Sequence, residues 1–115
     1  MAAGFFETFN FEKIHTDDFD VKIESENSLV CVFFWGHDCP NCEITKSVLV
    51  DRKIEIEGLK MKWFQANIYN DFALATRFGL FGIPVFLFFK NGKKLGKISP
   101  FPGFEPFYEA VRKLV

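Results

Sequence analysis

Cys39 and Cys42 stand two intervening residues apart in the run Trp35-Gly36-His37-Asp38-Cys39-Pro40-Asn41-Cys42. At that spacing two sulfurs can close into a small disulfide ring. A C-x-x-C pair at the junction of a strand and a helix points to thiol–disulfide exchange. The strand is the almost wholly apolar run 29–35, and the helix starts at Pro40, where the missing N–H costs nothing in the first turn. The amide N–H groups of the helix start, and the positive end of its dipole, favour a thiolate at Cys39. Asp38 and Glu43 oppose this by like charge, while His37 would favour it if protonated. Asn41 can offer a sulfur a hydrogen bond without charge.

The competing chemistry is a structural zinc half-site. Zinc wants four ligands, and beyond Cys39 and Cys42 the chain offers only Cys31, His15 and His37. Cys31 lies inside the apolar strand and reads as an inert core thiol. Redox chemistry is therefore the preferred reading, with no metal. His37 is read first as a solvent-facing loop residue and second as a tuner of Cys39, His15 as a loop residue, and Trp63 as core.

The chain has 115 residues, enough for one domain, 1–115, around one core. Hydrophobic residues make up 49%, which argues against disorder, and the 17 phenylalanines read as core filling. A formal charge of −1 leaves no basic stripe for phosphates, so no nucleic-acid partner is expected. No apolar run approaches the ~20 residues that would cross a membrane, and no secretory leader is visible at the start. The expected setting is cytoplasmic, with export left open, and the expected state is a monomer. A lone C-x-x-C in a reducing compartment is catalytic or metal-binding.

The elements that must position the pair follow from periodicity. Residues 9–14 alternate like a first strand, and Thr16 looks like the N-cap of a helix with Phe19 and Ile23 on one face. Residues 29–35 form a central strand covered on both sides. Residues 40–56 form one helix, with Ile44 and Val48 sharing a face and Gly58 as its stop. Residues 60–66 alternate again, with Met61, Trp63 and Gln65 opposite Lys62 and Phe64. A short helix over 70–78 carries Phe72, Ala75 and Phe78 and ends at Gly79. Residues 83–89 are a buried strand that Lys90-Asn91-Gly92-Lys93 turns back on residues 94–99. Lysines 90, 93, 94 and 97 make a solvated edge that discourages aggregation. A last helix spans 104–115, with Phe107, Val111 and Leu114 inward. The result is an α/β domain with a mixed sheet and helices on both faces.

On three motifs in register, Trp35-x-x-x-Cys39-x-x-Cys42, Gly82-Ile83-Pro84 and Phe89-Lys90-Asn91-Gly92, the chain resembles the thioredoxins over nearly its whole length. The resemblance implies the thioredoxin fold, with Cys39 as the attacking thiolate and Cys42 as the resolving thiol. It implies a cis bond before Pro84, which sets that ring beside the sulfurs, bars a metal, and frees the backbone of Ile83 to pair with substrate. Trp35 would pack under the active-site loop. The implied partners are protein disulfide substrates and a recycling reductase or oxidant, and no cofactor is required. The chain departs from the family pattern at several places. Phe33 stands where a buried Asp is usual, and Gln65 where its lysine partner is usual. Asp38, Pro40-Asn41 and Glu43 replace the usual neighbours of the cysteines. Ser47 stands near the place of a helix-kinking proline, and Pro100 near that of a groove glycine. Two readings follow: an enzyme of thiol–disulfide exchange, or a non-turnover module that docks a partner. A glutaredoxin is the weaker third, because its glycine-rich signature after the cis-proline strand is not evident.

Overall fold

The strand expected over 29–35 forms as β2, Val30–Trp35, in the computed structural model, which describes residues 4–115. It is buried along its length until Trp35, which is half-buried. A strand with no polar face must be covered on both. β2 pairs in parallel with β3, Lys62–Asn67, and antiparallel with β4, Val85–Lys90. β1, Glu12–Lys13, joins β3 in parallel, and β5, Lys93–Ile98, joins β4 antiparallel. The sheet order is β1-β3-β2-β4-β5.

Alternate residues of β2 feed two separate cores, as the strand period of two requires. Cys31 and Phe33 join Leu49, Ile56, Trp63, Phe86, Phe88 and Phe107 on one face. Val30, Val32 and Phe34 join Phe19, Phe64, Leu74, Leu87 and Phe89 on the other. The first face is covered by α1 (Phe5–Thr8), α3 (Pro40–Asp51), α4 (Lys53–Glu57) and α6 (Phe104–Arg112), the second by α2 (Phe19–Glu24) and α5 (Phe72–Phe78). This is the expected α/β arrangement. The phenylalanines do fill it: all but Phe72 and Phe81 lie in one of the two clusters or pack against it.

Several elements differ from the periodicity reading. The segment 9–14 is mostly not strand. Phe5 and Phe9, four apart, bury beside α1, and only Glu12–Lys13 pair with β3. The apolar alternation there reflects an aromatic cluster, with Phe5, Phe6 and Phe11 against Phe33, rather than a ladder. Thr16 does not cap α2; its N–H and hydroxyl both donate to Asp71, and Asp18 precedes the helix. The helix expected over 40–56 breaks at Arg52, which is anchored to Glu55 at 2.7 Å and to Glu105 of α6 at 3.4 Å, with its guanidinium on the Phe104 ring. It runs unbroken through Ser47. Ile44 is exposed, and the inward stripe of α3 is Cys42, Thr45 and Leu49. In α5 the buried residue is Leu74, while Phe72 faces solvent. The last helix stops at Arg112, with Phe107 and Val111 buried and Leu114 packed against the core beyond its end. The β4–β5 turn forms as expected, with Asn91 at φ 51° and Gly92 at φ 80°, the left-handed pair a two-residue hairpin needs. Lysines 90, 93, 94 and 97 are exposed along this edge of the sheet.

Asp71 ties the α5 start to the β1–α2 turn. Burial pushes its carboxyl up, but the Thr16 hydroxyl, the Thr16 N–H and the Leu74 N–H together hold it below its ordinary value. Asp71→Ala removes the helix cap and two cross-links at once. It should cost about 1–3 kcal/mol in urea unfolding. Hydrogen bonds from Lys22 and Lys62 likewise lower Glu12, and the Arg77 side chain lowers Asp20. Groups with lowered folded values contribute stability above the ordinary carboxylate range and lose it as pH falls through the folded values. The urea midpoint should therefore fall steadily between about pH 5 and pH 2, and Asp71→Asn should flatten part of that slope.

Candidate active site

Cys39 is the N-cap of α3, in extended backbone, and its Sγ accepts the backbone N–H of Cys42 at 3.1 Å. That bond puts the sulfur on one of the donors a helix start leaves unpaired. The two sulfurs are 2.33 Å apart across a Cα–Cα distance of 5.2 Å, a closed disulfide. Cys39 is half-buried and Cys42 fully buried, so only the first sulfur is open to a partner. Asp38, at φ 56°, turns the chain out of β2 and into the helix; its carboxylate side chain tolerates that region better than most. Pro40 takes the first helical position, as expected. Asn41 is exposed, and the sulfur takes its hydrogen bond from the Cys42 amide rather than from the Asn41 side chain.

The loops around the pair come from β3–α5, α5–β4 and β5–α6. The Ile83–Pro84 peptide is cis, and so is Ser99–Pro100. Pro84 is buried and its carbonyl accepts the Ser99 hydroxyl at 3.0 Å, which joins these two loops; Ile83 is half-buried. Gly36 is the point where they close on the end of β2. A Cβ there would lie 2.4 Å from the Tyr69 ring and 2.8 Å from the Ile83 side chain, so no larger residue fits. His37 is exposed but tethered: its ring packs 4.8 Å from Tyr69, and its Nδ1 lies 3.3 Å from Asn67 Nδ2. Because Asn67 Oδ1 accepts the Tyr69 N–H, its Nδ2 is the donor to His37. Pro100 and Phe101 face Asn41, Ile44 and Thr45 across a cleft of about 280 Å³.

At the end of β2, Trp35 donates its indole N–H to Gln65 Oε1 at 2.7 Å. Phe33, directly across the ladder from Gln65, is fully buried with its ring 4.9 Å from Phe86 and 5.3 Å from Phe5. Aromatic packing thus seals the position of Phe33. Glu43 is paired with Lys46 at 3.0 Å, and the Lys46 ammonium lies 4.4 Å from the Trp35 ring. Cys31 is apart from all this, buried in β2, where desolvation pushes its thiol well above its ordinary value. His15 lies in the β1–α2 turn, its N–H donating to Asp18. Among the described residues no group of three or more His, Cys, Asp or Glu gathers to hold a metal.

The structure therefore brings Cys39, Cys42, Trp35, His37, Ile83, Pro84 and Pro100 to one end of the sheet. It adds Gly36, Asn67, Tyr69, Lys46 and Phe101, which motif reading does not single out. Only Lys46 left a readable trace: it follows Glu43 by three and Cys42 by four, so it shares their side of a helix. Tyr69 and Asn67 sit at a strand end and turn, where periodicity carries no information.

The thioredoxin family model matches residues 10–107. Thioredoxins from Staphylococcus aureus strains N315 and MW2 are 30% identical over 94 residues, which cover 82% of this chain and 85% of theirs. Among solved structures, a mutant thioredoxin from Halobacterium salinarum superposes with a TM-score of 0.69 at 18% identity, covering 90% of this chain and 85% of that one. With its mixed five-stranded sheet and a closed cysteine pair at the head of α3, the chain belongs to the thioredoxin family of thiol–disulfide oxidoreductases.

Proposed function

We propose that the chain exchanges protein disulfides through a Cys39-Pro40-Asn41-Cys42 site. One observation carries this reading: a half-buried Cys39 whose sulfur accepts the free Cys42 amide in the first turn of α3, with Cys42 itself fully buried. Cys39 as thiolate attacks one sulfur of the substrate disulfide. A mixed disulfide forms and one substrate thiolate leaves. The Cys42 thiolate then attacks the Cys39 sulfur, closing the internal disulfide and releasing the second substrate thiolate. Two electrons pass from the pair to the substrate. In a reducing compartment a dithiol-regenerating reductase must return the pair to its starting state; with an oxidant as partner the same steps run backwards.

The surroundings have assignable roles. The backbone of Ile83, on the loop beside Gly36, is the segment assigned to pair with an extended stretch of substrate. Trp35, held by Gln65, supports the loop from below. Asp38 and the tethered His37 flank the attacking sulfur and modulate its charge. Phe33 supplies no base for Cys42, so the second step has to proceed without general-base help.

Cys42→Ser should trap mixed disulfides with several substrate proteins, and Cys39→Ser should trap none. Capture of nothing by Cys42→Ser, together with a stable noncovalent partner, would instead mark a non-turnover docking module. Release of a mixed disulfide, followed by stopped-flow, should be on the order of tenfold or more slower than in a thioredoxin with the buried carboxylate. A matching rate would refute the role given to Phe33. Direction is read from the reduction potential: about −270 mV means a reductant, and about −180 to −120 mV a disulfide donor.

A further inference from the structure

Lys46 has surroundings unusual for a helix-surface lysine. Its side chain is only 17% exposed, while that of its partner Glu43 is 68% exposed. The ammonium lies 3.0 Å from the Glu43 carboxylate, 4.4 Å from the centre of the Trp35 ring and 4.9 Å from that of Phe6. Two aromatic faces and a carboxylate thus hold one cation in place. Lys46 follows Cys42 by four on the same stripe of α3, and helical side chains lean toward the N-terminus, so its stem runs back toward the Cys42 turn. The i,i+3 ion pair by itself is worth little to stability, and the two aromatic faces do most to fix the ammonium.

Its electrostatic consequence is larger. Alone, the Glu43 carboxylate would sit directly after Cys42 and work against a thiolate. Paired, the two charges nearly cancel at a distance, and the cation is the less exposed of the two. Its field passes through less water and is screened less. The other ionisable groups around the pair are His37 and Asp38 before the helix and Tyr69 on the β3–α5 turn, and Asp51 lines the same shallow cleft as Glu43 and Lys46. Residues 79–84 and 99–103, which close over the sulfurs, carry no ionisable side chain. Among the described residues Lys46 is the one basic side chain whose ammonium lies over the Trp35 ring, while Lys13 and His15 line a separate cavity with Trp35 and Gln65.

We propose that Lys46 is an electrostatic positioning residue of the Cys39–Cys42 dithiol: held by Trp35, Phe6 and Glu43, its ammonium offsets Glu43 and enlarges the thiolate fraction at Cys39. This rests on the reading of the pair as redox-active. It predicts opposite signs for two neighbouring substitutions. Lys46→Met keeps the apolar stem and leaves Glu43 unpaired. Glu43→Gln removes the carboxylate and leaves the ammonium.

The test is titration of the reduced protein by ultraviolet thiolate absorbance, for the wild type, Lys46→Met, Lys46→Arg and Glu43→Gln. Lys46→Met should raise the Cys39 midpoint by roughly half a pH unit, about threefold less thiolate at a pH below it. Glu43→Gln should lower the midpoint, and Lys46→Arg should stay near the wild type. In glutathione buffers held at a pH above the Cys39 midpoint, where the reduced pair carries the thiolate, Lys46→Met should become more reducing by the same threefold factor and Glu43→Gln less so, because a stabilised thiolate favours the dithiol form. Loosened packing would move both variants the same way, so shifts of equal sign overturn the proposal, as does an unchanged midpoint in Lys46→Met. A wild-type pair that stayed reduced in every glutathione buffer would overturn the oxidoreductase reading instead, and the absorbance titration would still decide the role of Lys46.

Discussion

β2 has no face that water can reach. From Val30 to Phe34 every residue is fully buried, and the odd and even positions enter two different cores. Burying such a strand requires a neighbour on each edge and a helical layer on each side. The rest of the structure meets that demand: β3 and β4 flank it, α3 and α6 cover one face, and α2 and α5 cover the other. The only part of the strand that emerges is its end, the half-buried Trp35, and the chain turns after it at Gly36. Gly36 leaves no room for a side chain between Tyr69 and Ile83, so the turn lies against two other loops. Cys39 follows three residues after Gly36. Its location is a consequence of where a fully buried strand has to end.

The chemistry of the pair is then set by two kinds of neighbour. Backbone provides the first: a helix start aims an N–H at Cys39, whatever the side chains nearby. Side chains provide the second, and here the layer beneath the sulfurs is aromatic and amide rather than ionised. Phe33 is locked among Phe5, Phe6, Phe11 and Phe86. Gln65 spends its carbonyl on the Trp35 indole. The short helix α1 makes this possible, because its Phe5 and Phe6 supply the rings that close the aromatic cluster over that end of the sheet. The charged pair lies beside these rings, with Glu43 exposed and the largely buried Lys46 ammonium over Trp35 and Phe6.

Much of the fold was legible because long apolar runs and turn residues have few alternatives. The buried strand before Cys39, the Asn91-Gly92 hairpin and the left-handed stop at Gly79 all formed as their residue types dictate. The errors cluster where one side chain serves a distant element. Thr16 has the right chemistry for an N-cap but donates to Asp71, more than fifty residues away, so the helix start moved to Asp18. Arg52 belongs to a helix-forming stretch, yet its bonds to Glu55 and Glu105 accompany a break there. Phe9 and Phe11 alternate like a strand but pack as rings around Trp63. In each case periodicity registers that a residue is apolar or polar and not which partner it meets.

By itself the sequence determined the cysteine pair, its place between a buried strand and a helix, and the absence of a carboxylate at Phe33. These follow from residue type and from spacing along one local segment, and local backbone geometry turns such spacing into position. Only the tertiary structure decided which loops close over the pair, that Tyr69 and Asn67 hold His37, that Gln65 serves Trp35, and that Lys46 lies against the indole while it answers Glu43. Those contacts join segments up to thirty residues apart or more. They depend on how two layers of side chains interlock across a sheet, and that packing is a property of the assembled fold, with no counterpart in the spacing along the chain.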